Sequence, residues 1–427
     1  MEHVINLKCL ICGEEYLPGE IDYICPHHGN DGIVDVRYDY DAVSKRLSKE
    51  SLSQNMDYSI WRYKPLLPVS PDAAVPPLRV GWTPLYDAPR LANELGLKHL
   101  WVKDDGRQPT ASFKDRASAI AVVKAREKMD DKGVAPIITT ASTGNAAAAL
   151  SGLCASVSHP NVIFVPETAP PAKIAQLLVF GSTVMLVRGS YDDAFELCLE
   201  AAAEYGWYNR NTAYNPYMTE GKKTASFEIC EQLDWNAPDA IFVSVGDGCI
   251  IGGLHKGLKD LLALGWIDHM PRLIGIQAEG SSFMTQAWEN DEDVLTKPPI
   301  NAETVADSIS AGMPRDRIKA MAAVKETSGA YISVTDDEIL SAIPALARGC
   351  GVFGEPAGVA SYAGLVKAVD LGMVDADERI VVLNTGNGLK DIQSAMKSVE
   401  MAGTVSYYVE PSLADLQRLL EDSSISI

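Results

Sequence analysis

The run Pro109-Thr110-Ala111-Ser112-Phe113-Lys114-Asp115-Arg116 puts a lysine in the first turn of a helix, directly behind a turn-forming segment. An ammonium group there faces the positive end of the helix dipole. That position favours the neutral amine, a nucleophile and Schiff-base former. A plainer alternative is a Ser112 cap, with Asp115 completing a capping box ahead of ordinary surface charges. Further polar turns follow apolar runs. After Pro136-Ile137-Ile138-Thr139-Thr140 come Ser142, Thr143, Gly144 and Asn145, leading into an Ala-rich helix. Free amides at that helix start, two hydroxyls and an amide side chain suit a carboxylate or phenolate oxygen, and serve equally as an ordinary cap. After the apolar run 240–245 comes Gly246-Asp247-Gly248-Cys249-Ile250-Ile251-Gly252-Gly253. Glycines there let the backbone approach a phosphate, and the helix start adds amides and a favourable dipole. After the run 379–383 come Asn384, Thr385, Gly386 and Gly388.

The glycine turn matches neither G-x-G-x-x-G nor a P-loop, which argues against a nicotinamide site with Glu279 on the ribose. An amine at Lys114, an oxygen-binding turn at Asn145, a phosphate cradle at Gly246, Asp247, Gly248, Cys249 and Ile250, and a hydroxyl at Thr385 meet four needs of pyridoxal 5'-phosphate. These are a Schiff base for its aldehyde, a partner for its phenolic oxygen, amides for its phosphate and a partner for its ring nitrogen. Lys103, Lys222, Lys223, Lys256 and Lys390 are the other candidate anchors.

Such a set needs elements that bring four distant turns together. Fully apolar strands alternating with helices predict α/β architecture, with parallel sheet covered on both faces and sites at the carboxyl ends of the strands. The pattern predicts helices over 41–52, 113–128, 145–157, 172–180, 192–205, 220–233, 253–264, 336–348, 357–370 and 387–398. A separate unit precedes them at residues 1–38. There Cys9 and Cys12, then Cys25 and His28, stand in two short turns, each followed by a glycine, Gly13 or Gly29. Two knuckles with that spacing resemble a zinc ribbon with a Cys3His ligand set.

The whole chain sets limits on partners. Its 427 residues carry a net charge of −20, which argues against a nucleic-acid or anionic-membrane partner. Hydrophobic content of 47% with no apolar run of membrane-spanning length predicts a soluble protein. The other five cysteines, scattered through apolar segments, suit a reducing cytoplasm.

Ser-Phe-Lys-Asp-Arg at 112–116, S-x-G-N at 142–145, the glycine turn, Glu355-Pro356-Ala357-Gly358 and T-G-x-G-L-K-D at 385–391 occur in one order. With Gly-Trp-Thr-Pro-Leu at 81–85 and the stretch 220–229, this set resembles the threonine synthases over roughly residues 5–405. These belong to the tryptophan-synthase-β class (fold type II) of pyridoxal-phosphate enzymes. The resemblance implies two doubly wound open sheets. A large domain would span 39–115 and 207–427, and a small mobile domain 116–206, with the cofactor between them and a homodimer as the assembly. It implies that Lys114 anchors the cofactor and moves protons at Cα, and that Asn145 faces the phenolic oxygen. It implies further that the turn 246–250 holds the phosphate, Thr385 faces the ring nitrogen, and Ser142, Thr143 and Gly144 hold the amino-acid substrate. A neutral hydroxyl at the ring nitrogen would steer chemistry toward elimination and replacement. The implied reaction is amino-acid biosynthesis, O-phosphohomoserine and water giving threonine and phosphate. The chain departs from the family at Thr212-Ala213, where a small polar pair is usual, at Met218, where an arginine clamps the substrate phosphate, and at Ala146, where a threonine is usual. Lys222, Lys223 and Arg210 stand close enough in sequence to compensate. The departure leaves open a related lyase or β-replacement enzyme acting on another amino acid.

Overall fold

The apolar runs at 240–244, 272–278 and 379–384 have no polar face to give to water, and each becomes a central strand. A computed structural model describes residues 3–421 apart from Thr143 and Pro170. Its strands are β1 (Val4–Cys9), β2 (Glu15–Tyr16), β3 (Val34–Tyr38), β4 (Leu85–Asp87), β5 (His99–Asp104), β6 (Ile138–Ala141), β7 (Asn161–Pro166), β8 (Thr183–Val187), β9 (Tyr208–Asn209), β10 (Ala240–Ser244), β11 (Arg272–Ala278), β12 (Ala330–Val334) and β13 (Arg379–Asn384). A six-stranded sheet runs β12-β11-β10-β13-β5-β4 and a four-stranded one β8-β7-β6-β9. The pairings are parallel except at the large sheet's edge, where β4 runs antiparallel to β5. The α/β class and the two open sheets expected from the sequence are present.

Register brings the turns together. Leu383 of β13 pairs with Val243 on one side and Lys103 on the other. The carboxyl ends of β5, β10 and β13 therefore lie side by side, and each feeds one of the polar turns. The third sheet, β2-β1-β3, is antiparallel and belongs to the N-terminal unit. Buried ties lock it to the large sheet's helices. Tyr38 donates to Glu220 at 2.6 Å, and Arg317 and Lys319 reach Asp31 and Asp35 at 2.6 and 3.3 Å. Among the described residues no helix is long and apolar enough to cross a membrane.

Local capping corrects several expected helices. The segment 41–52 divides into Tyr40–Ser44 and Lys49–Ser53, because Ser48 and Ser51 form a capping box that starts a new helix. The segment 220–233 divides into Tyr217–Lys222 and Thr224–Gln232 around Lys223. The last expected helix begins later, at Ile392, where Asp391 caps it; a 3-10 turn over Gly388–Lys390 precedes it. The helix after the glycine turn begins earlier, at Cys249.

Candidate active site

Lys114 is the first residue of the helix Lys114–Glu127. The turn ahead of it is closed by Asp115, which accepts from both the backbone N–H and the hydroxyl of Thr110. Ser112 does not cap: its buried hydroxyl has no partner, which corrects the capping-box reading. Beneath the helix, Arg116 is fully buried and donates to Asp105 at 2.6 and 2.9 Å, to Glu228 at 2.5 and 2.8 Å and to Thr224 at 2.9 Å. Lys103 adds a 2.7 Å contact to Glu228, and Thr83 donates to Asp105. This network fixes the start of the helix, and with it Lys114, against β5. Burial lowers the Lys114 amine, opposed in part by Glu355. An amine released from its ammonium form is the state that a Schiff base requires.

Lys114 opens onto a cavity of about 630 Å³. Ser142, Gly144, Asn145, Gly246, Asp247, Gly248, Cys249 and Ile250 line it, as does Ala146. Thr143 lies outside the described residues. Thr385 is buried beside the site rather than in the lining, and its carbonyl accepts from the Phe113 N–H at 2.9 Å. The glycine turn suits an oxyanion on its own geometry. A Cβ at Gly246 would stand 2.7 Å from Ile309 Cα, and Gly248 has φ +84° as it leads into the helix Cys249–Ala263. Amides of that first turn have no partner inside the helix. The Cys249 thiol is pushed well up by burial and stays neutral, so it does not repel an anion. These features fit a phosphorylated aldehyde: an amine with lowered basicity and a phosphate cradle on one cavity.

Of the other candidate lysines only Lys222 shares the cavity. Lys103 pairs with Glu228, Lys223 with Glu220 and Asp260, and Lys256 with Asp260. Arg210 and Thr212 are in the lining, whereas Met218 is fully buried in an apolar cluster with Tyr217 and Ala117. The loop from Asp307 to Met313 closes another side, a contribution with no motif to announce it.

Glu355 opens the Glu355-Pro356-Ala357-Gly358 motif, but the sequence assigned it no role at the site. It precedes Pro356 at the start of the helix Pro356–Asp370 but makes no side-chain cap. Its carboxyl turns to Asn145, whose Nδ2 donates to Oε1 at 2.6 Å. Burial pushes it up to about 7, with Lys390 and Lys114 opposing. A Cβ on Gly386 would stand 2.0 Å from the same oxygen, so that glycine makes room for it. The signal was available, since glutamate is a poor N-cap and a charged residue before a buried helix needs a reason.

Elsewhere, the ligand atoms of Cys9, Cys12, Cys25 and His28 all lie within 4.8 Å of one another. Cys12 Sγ and Cys25 Sγ are 3.9 Å apart. Metal–sulfur bonds of about 2.3 Å at tetrahedral angles put sulfurs about 3.8 Å apart. His28 Nε2 is buried without a partner, and the turn glycines Gly13 and Gly29 have φ +75° and +52°. The donor set fits zinc.

Comparison with known proteins follows the same lines. The sequence model of the family described as pyridoxal-phosphate dependent enzyme matches residues 77–386. The chain is 38% identical over 395 residues to the threonine synthase of Methanocaldococcus jannaschii, covering 92% of this chain and 95% of that protein. It is 40% identical over 396 residues to the threonine synthase of Methanosarcina acetivorans, covering 92% and 94%. Among solved structures, threonine deaminase isoform 2 of Solanum lycopersicum shares the fold at TM-score 0.64 and 22% identity, over 91% of this chain and 99% of that one. Diaminopropionate ammonia lyase of Escherichia coli does so at TM-score 0.64 and 17% identity, over 84% and 95%. Matched over most of its length, the chain belongs to the family of pyridoxal-phosphate dependent enzymes that includes the threonine synthases.

Proposed function

We propose that this enzyme converts O-phosphohomoserine and water to threonine and phosphate. The observation that carries the reading is identity with threonine synthases across 92% of the chain. On that chain an amine, a phosphate cradle and two further buried cations, Arg210 and Lys222, share one cavity. Pyridoxal phosphate, when bound, supplies the electron sink for carbanions formed along the substrate. Lys114 anchors it and then moves protons between substrate carbons. The glycine turn 246–250 and its helix start hold the cofactor phosphate, while Asn145, steadied by Glu355, addresses the phenolic oxygen. Thr385 serves the ring nitrogen. Ser142, Thr143 and Gly144 receive the substrate carboxylate.

The segment 116–206 is proposed to close over the substrate and exclude water. Lys173–Asp307 and Arg315–Asp192, which tie helices of that segment to the opposite rim, support this. We further propose one structural zinc on Cys9, Cys12, Cys25 and His28, and a cytoplasmic homodimer. Incubation of purified enzyme with O-phosphohomoserine, O-phosphoserine, serine and threonine, assayed for phosphate, threonine and keto acid, tests the reaction. Threonine and phosphate in equal amounts from O-phosphohomoserine are expected. Absence of that turnover while another substrate reacts overturns the reading in favour of a related lyase or replacement enzyme.

A further inference from the structure

The glycine turn 246–250 has a back wall, and part of that wall comes from the N-terminal unit. Ile33, directly ahead of β3, is 1% exposed. It packs in one buried cluster with Ala213 and with Cys249, which follows Gly248 in the turn; Ile318 lies against them. Ala213 has φ +69°, a left-handed backbone that a residue with a side chain keeps only where its neighbours hold it. The chain around Ile33 is stitched to both metal-ligand turns. Its carbonyl accepts from the Leu10 N–H at 3.0 Å, between Cys9 and Cys12, and the Gly32 carbonyl accepts from the Cys25 N–H at 2.7 Å. A Cβ on Gly32 would stand 2.4 Å from the Cys25 carbonyl oxygen, so this approach requires glycine.

A second line of contacts runs through the helix Arg317–Glu326, whose start lies against the same turn. The Asp316 N–H donates to the Asp247 carbonyl at 2.8 Å. A Cβ on Gly248 would stand 2.6 Å from Ala320 Cβ, and one on Gly252 2.9 Å from Lys319 Cβ. The helix turns its two buried cations to the N-terminal unit, Arg317 to Asp31 at 2.6 Å and Lys319 to Asp35 at 3.3 Å, and Lys319 also reaches the Val34 carbonyl at 3.2 Å. Without those carboxylates the cations would be stranded, a cost that displaces the helix start rather than leaving it in place. The unit over residues 1–38 has little core of its own, and chains below about 40 residues usually need a metal, disulfides or a partner to fold. A metal on the ligand turns supplies that folding energy. Whatever fixes those turns therefore fixes Asp31, Ile33 and Asp35, and through them the turn 246–250.

We propose that Asp31, Ile33 and Asp35, held by the metal-ligand turns of the N-terminal unit, are positioning residues for the cofactor's phosphate, so that metal occupancy sets how tightly the phosphorylated cofactor is held. This rests on the assignment of the turn 246–250 to that phosphate, made above. None of the three side chains lines the cavity; they act through Cys249 and the start of the helix behind it. Hydrogen bonds weaken steeply with poor distance and angle. A small shift of the turn is therefore felt by the phosphate and hardly by the ring, which other walls of the cavity hold.

The test titrates the full chain, freed of cofactor, with pyridoxal 5'-phosphate and separately with pyridoxal, which lacks the phosphate, and follows the visible absorbance of the bound aldehyde. Wild type, Ile33→Ala, Ile33→Val, Asp31→Asn and zinc-stripped wild type are compared. Ile33→Ala, Asp31→Asn and the stripped protein are expected to bind pyridoxal phosphate about tenfold more weakly, the effect of one lost charge-assisted contact, with pyridoxal affinity unchanged. The milder Ile33→Val is expected to keep most of the preference for the phosphorylated form, and added zinc to restore it in the stripped protein. An unchanged preference in Ile33→Ala and Asp31→Asn overturns the proposal, and so does a zinc-stripped protein that keeps it. A parallel loss of both aldehydes overturns it too, since that is what general destabilisation gives. Gly248→Ala strikes the turn directly and is expected to abolish the preference; if it does not, the phosphate assignment fails and the proposal with it. The readout is cofactor binding, so turnover of O-phosphohomoserine stands or falls separately.

Discussion

Replacing Arg116 by methionine removes a charge but keeps an apolar stem of similar length. Four buried groups balance in pairs, Arg116 and Lys103 against Asp105 and Glu228, all within 2.5–2.9 Å contacts. Without the guanidinium, Lys103 alone faces two buried carboxylates. Breaking such a set by removing one partner costs about 3–5 kcal/mol. A domain typically holds about 5–15 kcal/mol in total, so the loss is severe. The pH dependence carries a sign that packing alone does not. Burial alone would raise Glu228, but Arg116 and Lys103 outweigh it and hold the carboxyl at about 2, below the ordinary 4.5. A depressed carboxyl contributes stability above its unfolded pKa, and that stability is lost as pH falls from 4.5 toward 2. In Arg116→Met the depression largely disappears, so the deficit against wild type is greatest near pH 7 and narrows below pH 4.5. Urea denaturation of both proteins at several pH values measures this. The companion Arg116→Met/Glu228→Gln removes the stranded charge and is expected to recover at least about 1 kcal/mol. A deficit that is flat with pH, together with no recovery in the double variant, refutes the electrostatic account and leaves a packing defect.

Other expectations are more direct. Lys114→Ala is expected to lose the visible absorbance of bound cofactor and all turnover; colour that borohydride still fixes to the chain would name another lysine as the anchor. Glu355 is pushed up to about 7 by burial, with Lys390, Lys114 and Asp307 as the charges that face it. A raised carboxyl contributes stability below its unfolded pKa that is lost as pH rises through about 7, so wild type should show a limb near pH 7 in kcat/KM. Glu355→Gln, whose amide oxygen still accepts from Asn145, should abolish that limb; a limb that survives unchanged refutes the assignment. Protein purified without chelator is expected to contain one zinc per chain, with Cys25→Ser losing it and lowering the thermal midpoint; metal analysis that finds none ends the zinc reading.

What the sequence disclosed and what it hid divide along a physical line. Strands such as Ala240–Ser244 are apolar on both faces, and a turn such as 246–250 must be glycine-rich because Ile309 leaves no room for a side chain. These are local demands on residue type, so they can be read from spacing. The Cys3His set is of the same kind, two ligands per turn with a glycine beyond each. The helix Arg317–Glu326 stayed hidden because its inner face carries Arg317 and Lys319, buried only because Asp31 and Asp35 of the N-terminal unit meet them. No hydrophobic period marks such a helix. The role of Glu355 hid for a related reason. It is a charged residue whose partner, Asn145, lies far away in sequence. Ser112 shows the converse error. A serine before a helix reads as a cap, yet the cap work falls to Asp115 and Thr110, and Ser112 keeps a buried hydroxyl without a partner beside Lys114. Local grammar assigns capping to the nearest eligible side chain, whereas a site that must keep a lysine at a helix start and hold Arg116 beneath it takes its closing contacts from inside the fold. The residues that escaped the sequence are therefore the ones whose meaning is a contact with a distant part of the fold, and the pairing of Glu355 with Asn145 is the one the Glu355 variant perturbs.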